Sequence, residues 1–334
     1  MEKKRVRILS LREMFDKIFD IHRKTIGSSL PYIIIMQIIM GIGIFLCTLV
    51  LIVPFISMSV VMDDVSGLSF FLIILIIGII LLTFFSKNLL TAGLMKIGSD
   101  GYFGNRTKFS NGISFAFSKF GKMMGVSFAE AIILGLWLVP VFIMFYLFGL
   151  NDLFKGSYLV YEGVDSLNNP KFIIGSMIFL AIIAGIIILV FSTLYALVVP
   201  VAIYENLGMF KAMKRSRKLV IDYFWGVMGK KLLLGLVVQG VSSSLISILG
   251  IIGAVAMFLL RNSMTSEGIM NLALVTGNLL RYPVQLLLAS CITPITSLFV
   301  LVLYYNLKFK KEGYDFEVNI FFMDKEKGSI ENVQ

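Results

Sequence analysis

One histidine, His22, serves the whole 334-residue chain, and there are two cysteines, Cys47 and Cys291. That scarcity excludes His-pair catalysis, zinc spacings and a disulfide framework. Both cysteines fall inside apolar runs, where a small core residue is the plainer reading. Charge is scarce as well: 15% of residues are charged against 58% apolar, whereas soluble domains carry roughly a quarter charged. No Walker sequence, G-x-S-x-G elbow or dinucleotide fingerprint occurs. Carboxylates could pair for acid–base work, but apart from Glu130 and Glu205 the acidic residues lie in loops or tails with no evident pocket. The sequence therefore calls for no catalytic residue, no cofactor, no metal and no enzyme activity.

What is present in quantity is uninterrupted apolar sequence. No charge breaks residues 25–62, 172–204 or 232–260. About 20 such residues cross the hydrocarbon core. Continuous runs without alternation select helices rather than a barrel. The fold expected is all-α: a polytopic membrane protein of six transmembrane helices arranged as three hairpins, with amphipathic helices at the inner face. The first apolar block is too long, and too far from the start, for a cleaved signal peptide.

Read in order, residues 1–30 form a cytoplasmic amphipathic segment. Ile8, Leu11, Phe15, Ile18 and Phe19 share one helical face, and Ser10 with Glu13 has the form of a capping box. This helix is expected to lie on the membrane surface. The transmembrane domain occupies residues 31–307, with spans at about 31–61, 68–95, 123–150, 172–204, 232–260 and 283–307. A turn carrying Asp63 and Asp64 separates the first two spans, and a loop over 151–171 separates the third and fourth. Short amphipathic elements precede spans three and five: Phe109, Ile113, Ala116, Phe117 and Phe120 mark one, Phe210, Met213, Val220 and Phe224 the other. Residues 261–282 read as an outer loop with an interfacial helix. Tyr304 and Tyr305 fall where an aromatic belt would place them. Residues 308–334 form a cytoplasmic tail.

The basic residues orient these spans. All but five of the 30 lie before span one, between spans two and three, between four and five, or in the tail; Lys87 stands at the inner part of span two, and the four on the other side are Lys155, Lys171, Arg261 and Arg281. This asymmetry places both termini in the cytoplasm of a cell whose cytoplasmic membrane holds the protein. It also accounts for the formal charge of +10, since the bases meet an anionic leaflet at about 1 kcal/mol each. Nucleic acid would require them gathered on a soluble domain. Three units of inner helix, outgoing span, outer connection and returning span start near residues 8, 109 and 209. The residue-level match is faint, and hairpins obeying the charge rule would resemble it, so a true triplication stays open.

Ionisable groups within apolar spans are the first candidates for function. Glu130 lies roughly 12 Å along a helix from Lys122; it reads either as a proton or cation site facing a cavity or as an interfacial carboxylate paired with an inner base. Glu205 closes span four beside many bases and carries the second reading more strongly. Pro140, Pro200 and Pro294 are candidate kinks whose freed carbonyls could line a substrate path, although proline is common in membrane helices. Lys211, Lys214, Arg215, Arg217 and Lys218 are candidate contacts for anionic headgroups.

Three stretches carry a resemblance: residues 11–24, from Leu11 to Lys24; Pro200-Val201 with Glu205, Gly208, Ala212, Ser216 and Phe224-Trp225; and residues 303–315, with Tyr304-Tyr305, Lys308, Lys310, Lys311 and Gly313. Together the chain resembles the six-helix bacterial membrane-domain family known from the membrane region of glycerophosphoryl diester phosphodiesterases, which also has stand-alone members. The catalytic domain of those enzymes has nothing here to map onto. The resemblance thus implies a membrane fold without hydrolase chemistry. The leading expectation is a non-enzymatic accessory or lipid-interacting scaffold, with membrane lipids as partners, room for a partner membrane protein, and no nucleic acid. The alternatives are a permease or export/self-protection component moving a small molecule or peptide, and a membrane anchor for a separate phosphodiesterase.

Overall fold

Helix is the only regular structure among the described residues. The computed structural model describes residues 8–61, 65–105, 108–147, 170–260 and 266–313. The turn with Asp63 and Asp64, most of the 151–171 loop, Arg261 and the tail from residue 314 lie outside the described residues. The helices are α1 (Leu11–Val61), α2 (Val65–Tyr102), α3 (Phe109–Ser118), α4 (Phe120–Leu147), α5 (Pro170–Leu194), α6 (Val198–Tyr204), α7 (Met209–Val220), α8 (Phe224–Leu260) and α9 (Ser266–Glu312). A 3-10 turn, Ile221–Tyr223, joins α7 to α8. By length and composition there are 6 candidate membrane spans, carried by α1, α2, α4, α5 with α6, α7 with α8, and α9. A multi-pass membrane protein follows.

Consecutive spans are neighbours. Helix α1 packs on α2, α2 on α4, α4 on α5, α5 on α8 and α8 on α9, while α1 also packs on α9. Helix α6 has Val198 to Ile203 all buried and touches α2, α4, α7 and α9, so it fills the middle of one end. The buried core lies at that end. It takes Met14, Ile18 and Ile21 of α1, residues between Leu89 and Ile97 of α2, Met123 and Val126 of α4, most of α6, one face of α7, and residues between Leu298 and Phe309 of α9. Farther along the same helices, apolar side chains such as Phe45, Val50, Phe142, Leu236 and Phe258 are exposed. Such a surface requires lipid around it, because association in a bilayer does not bury apolar area from water.

The long helices exceed any bilayer. At 1.5 Å per residue the 51 residues of α1 extend about 76 Å, against a hydrocarbon core of about 30 Å. The amphipathic segment and span one are therefore one helix, and no boundary interrupts the chain at residues 30–31. Ser10 and Glu13 do form a reciprocal cap: Ser10 N–H donates to Glu13 Oε2 at 2.8 Å and Glu13 N–H to Ser10 Oγ at 3.4 Å. Its buried stripe, however, is Met14, Ile18, Ile21 and Thr25, packed against protein, with Leu11 and Phe19 turned outward. Residues 266–282, expected as a loop with an interfacial helix, are instead the first turns of α9. The partly polar composition of 266–282 hid the continuity, since neither Gly nor Pro ends the helix before residue 313. Tyr304 and Tyr305 are buried in the core rather than placed in a belt. Hydrogen-bonding partners for two hydroxyls, absent from any window on hydropathy, decide that outcome.

Candidate functional site at the basic end of the bundle

The site is assembled where α5 stops. Proline at position 200 lacks an N–H and would press on the carbonyl of residue 196 in a continuous helix. The chain turns at 195–197, and Pro200 sits in the first turn of α6, where its missing donor costs nothing. Ser216 of α7 bridges the interruption. Its fully buried hydroxyl accepts from Leu197 N–H at 3.2 Å and donates to the Leu194 carbonyl at 3.0 Å. Ala212, one turn earlier and equally buried, lets α7 approach that closely. Asn206, at φ 52°, ends α6 in the left-handed conformation that Asn tolerates better than most residues. Gly208 then begins α7.

Glu205, just past α6, is the centre of a polar knot. Arg215 Nε donates to its Oε2 at 2.8 Å, and Tyr304 Oη donates to its Oε1 at 3.2 Å. Lys308 Nζ stands 3.9 Å from Oε1, and Arg215 also pairs with Glu312. Tyr204 stacks on Tyr304 with ring centroids 5.9 Å apart and donates to the Met95 carbonyl at 2.9 Å. Tyr305 shares a 3.0 Å hydrogen bond with Ser99. One carboxylate thus ties the ends of α6, α7 and α9 together, and the tyrosines extend the tie to α2. Removing one partner from such a buried pair costs far more than the pair contributes. Here Glu205 is paired with the bases Arg215 and Lys308.

Glu130 is different. It is 6% exposed, and its hydrogen-bonding partner is an amide: Asn88 Nδ2 donates to Glu130 Oε2 at 2.7 Å and to Ser127 Oγ at 3.0 Å. Lys87 lies within electrostatic reach of Glu130 and also of Lys231. Lys231 reaches the Ser192 carbonyl at 2.5 Å. These groups mark a level on α2, α4, α5 and α8 beyond which no described residue of those helices is charged, apart from Lys171 at the start of α5.

Of the five proposed headgroup contacts, Arg215 is committed to Glu205 and Glu312. Lys211, Lys214, Arg217 and Lys218 are exposed, on the face of α7 opposite Ala212, Met213, Ser216, Leu219 and Val220. Phe210, Ile221 and Trp225 are exposed nearby, Trp225 at 76%. Helices α4 and α9 run through Pro140 and Pro294 without interruption.

Searches against known protein families, curated proteins and solved structures return no match for this chain.

Sequence reasoning missed Asn306, whose side chain clamps the backbone of Leu9. Its Oδ1 accepts from Leu9 N–H at 2.8 Å and its Nδ2 donates to the Leu9 carbonyl at 3.1 Å. The signal available was a lone asparagine at the end of an apolar run. Asn88 carried the same signal. Gly93 was missed too. A Cβ there would stand 2.2 Å from Tyr32 Oη, which donates to the Leu90 carbonyl at 3.0 Å. Nothing in a single sequence announces so close an approach.

Proposed function

We propose that this chain is a non-enzymatic protein of the bacterial cytoplasmic membrane, with both termini cytoplasmic, acting as an accessory scaffold that engages anionic lipids at the inner face. The observation that carries this reading is the outer face of α7. Four cations, Lys211, Lys214, Arg217 and Lys218, are held on one side because the other side is locked into the core. None has a carboxylate partner among the described residues. Exposed Phe19, Phe109, Phe117, Phe120 and Phe210, with Trp225, stand at the same basic end. Cations beside aromatic rings suit the headgroup region of an anionic leaflet. The residues that carry the family resemblance support the reading as well, since Pro200, Ala212 and Ser216 build the interruption on which α7 rests.

The test is lipid retention. In wild-type protein extracted into nanodiscs, phosphatidylglycerol should be enriched several-fold over phosphatidylcholine. The combined K211Q/K214Q/R217Q/K218Q variant should lose most of that enrichment. A wild-type protein indifferent to lipid charge would end the scaffold reading. A permease is the second reading, favoured by Glu130: a carboxylate buried among Asn88, Ser127 and Lys87 beside the closed end of the bundle is placed to exchange a proton or cation.

A further inference from the structure

A second cationic feature lies away from α7. The start of α1, the start of α8 and the end of α9 enclose a cleft of ≈ 140 Å³, lined by Ile8, Leu9, Tyr223, Val227, Lys230 and Lys310, among others. Both ammonium groups are near enough to act on one another. Neither has a carboxylate partner among the described residues. Lys230 is half-buried, and among the described residues its hydrogen-bonding contact is the Met14 thioether at 3.7 Å. Lys310 lies over the Tyr223 ring, 4.2 Å from its centroid. The contrast with neighbouring bases is sharp. Lys308 and Arg215 meet Glu205, and Lys311 meets Asp222.

Two like charges facing one partly enclosed space repel, and partial burial adds to the cost at Lys230, while Lys310 is exposed. An anion held between the two ammonium groups relieves that repulsion. The walls limit what the anion can be. Ile8, Leu9, Val227 and Leu307 give an apolar surface beside the cations, and Tyr223 gives a ring. The Asn306 clamp on Leu9 fixes the α1 side of the cleft, so the site is built before anything enters. A phosphate ester with apolar substance attached satisfies both halves: its oxygens take the two ammonium groups, and its remainder covers the wall.

We propose that the cleft between the start of α1, the start of α8 and the end of α9 binds a phosphate group, with Lys230 and Lys310 as its ligands. This rests on the placement of the basic end against an anionic leaflet. The same two ammonium groups accept the phosphate of an acidic phospholipid or inorganic phosphate, and the apolar wall favours the lipid.

The experiment uses full-length protein in detergent micelles, followed by native mass spectrometry and thermal unfolding. Phosphatidylglycerol, phosphatidylcholine and inorganic phosphate are added separately. Wild type should retain phosphatidylglycerol and unfold at higher temperature with it. K230Q/K310Q should weaken retention at least tenfold, while K211Q/K214Q/R217Q/K218Q keeps this tightly held lipid. A second variant guards against misfolding. A Cβ at Gly226 meets nothing within 4 Å, so G226L should fold and should reduce retention by occupying the cleft with both lysines in place. Protection by inorganic phosphate equal to that by the lipid, and lost in K230Q/K310Q, would keep the phosphate site and reject the lipid as its source. Retention unchanged in both K230Q/K310Q and G226L overturns the proposal, even where wild type prefers anionic lipid. Absence of any such preference would instead count against the scaffold reading itself.

Discussion

At the scale of single residues, buried polar groups set the geometry of this protein. Glu130, Asn88 and Ser127 satisfy one another between α2 and α4, and Asn306 holds Leu9 across nearly the whole sequence. Interhelical hydrogen bonds of this kind contribute about 0.6 kcal/mol on average, and up to about 2. Glu130→Gln keeps an oxygen to accept from Asn88 while removing the charge. Its stability should therefore change by less than about 1 kcal/mol, and the variant should be purified in normal yield. Proton flux then isolates the role of the charge. Vesicles holding wild type and a trapped pH dye should equilibrate after a pH jump faster than vesicles holding E130Q, if Glu130 serves a permeation path. Equal rates would leave Glu130 as a packing group and remove the second reading. Glu130 stood out in the sequence because a carboxylate interrupts an apolar run. Its amide partner did not, since nothing in one chain pairs residue 88 with residue 130.

At the scale of elements, the informative feature is a helix that stops. Helices α5 and α6 together equal one apolar span, and hydropathy alone draws no line between them. Proline at 200 hinted at a bend; the broken carbonyls and amides needed Ser216 to close them, and Ser216 belongs to a different helix. Ser216→Ala removes both bonds and leaves Leu197 N–H and the Leu194 carbonyl buried without partners. Each orphaned group costs about 1–3 kcal/mol, so the variant should unfold earlier in an SDS titration by roughly 2–6 kcal/mol. Serine-to-alanine changes on exposed helical faces should have no comparable effect, and an unchanged midpoint would show that α6 is held by packing alone. The spans themselves were legible because lipid demands long apolar runs. Their lower ends were not. Residues 8–30 are amphipathic enough to suggest a surface helix, yet a helix continuing out of the membrane and packing on its neighbours has the same pattern. The two cases differ in which stripe is covered. Here Met14, Ile18 and Ile21 are covered by protein, while Leu11 and Phe19 face out.

At the scale of the whole molecule, the two ends of the bundle obey different physics. The basic end has a core like that of a soluble helical protein, assembled from α6, α7 and the extended ends of α1, α2 and α9. The other end has long helices whose apolar faces stand open and can exist only in lipid. The native cysteines test this division because both lie beyond the packed end and both are exposed. A water-soluble reagent does not reach a thiol surrounded by hydrocarbon, where there is no water. In intact membranes Cys47 and Cys291 should resist a water-soluble maleimide applied from either side, and should react fully once SDS dissolves the bilayer. On a background lacking both, cysteine placed at Lys214 or Arg217 should react at once in inside-out vesicles and hardly at all in intact cells. Rapid labelling of Cys47 or Cys291 from water would mean that the open helix faces line an aqueous space. Labelling of position 214 from outside the cell would reverse the orientation, and with it the assignment of α7 to the anionic inner leaflet.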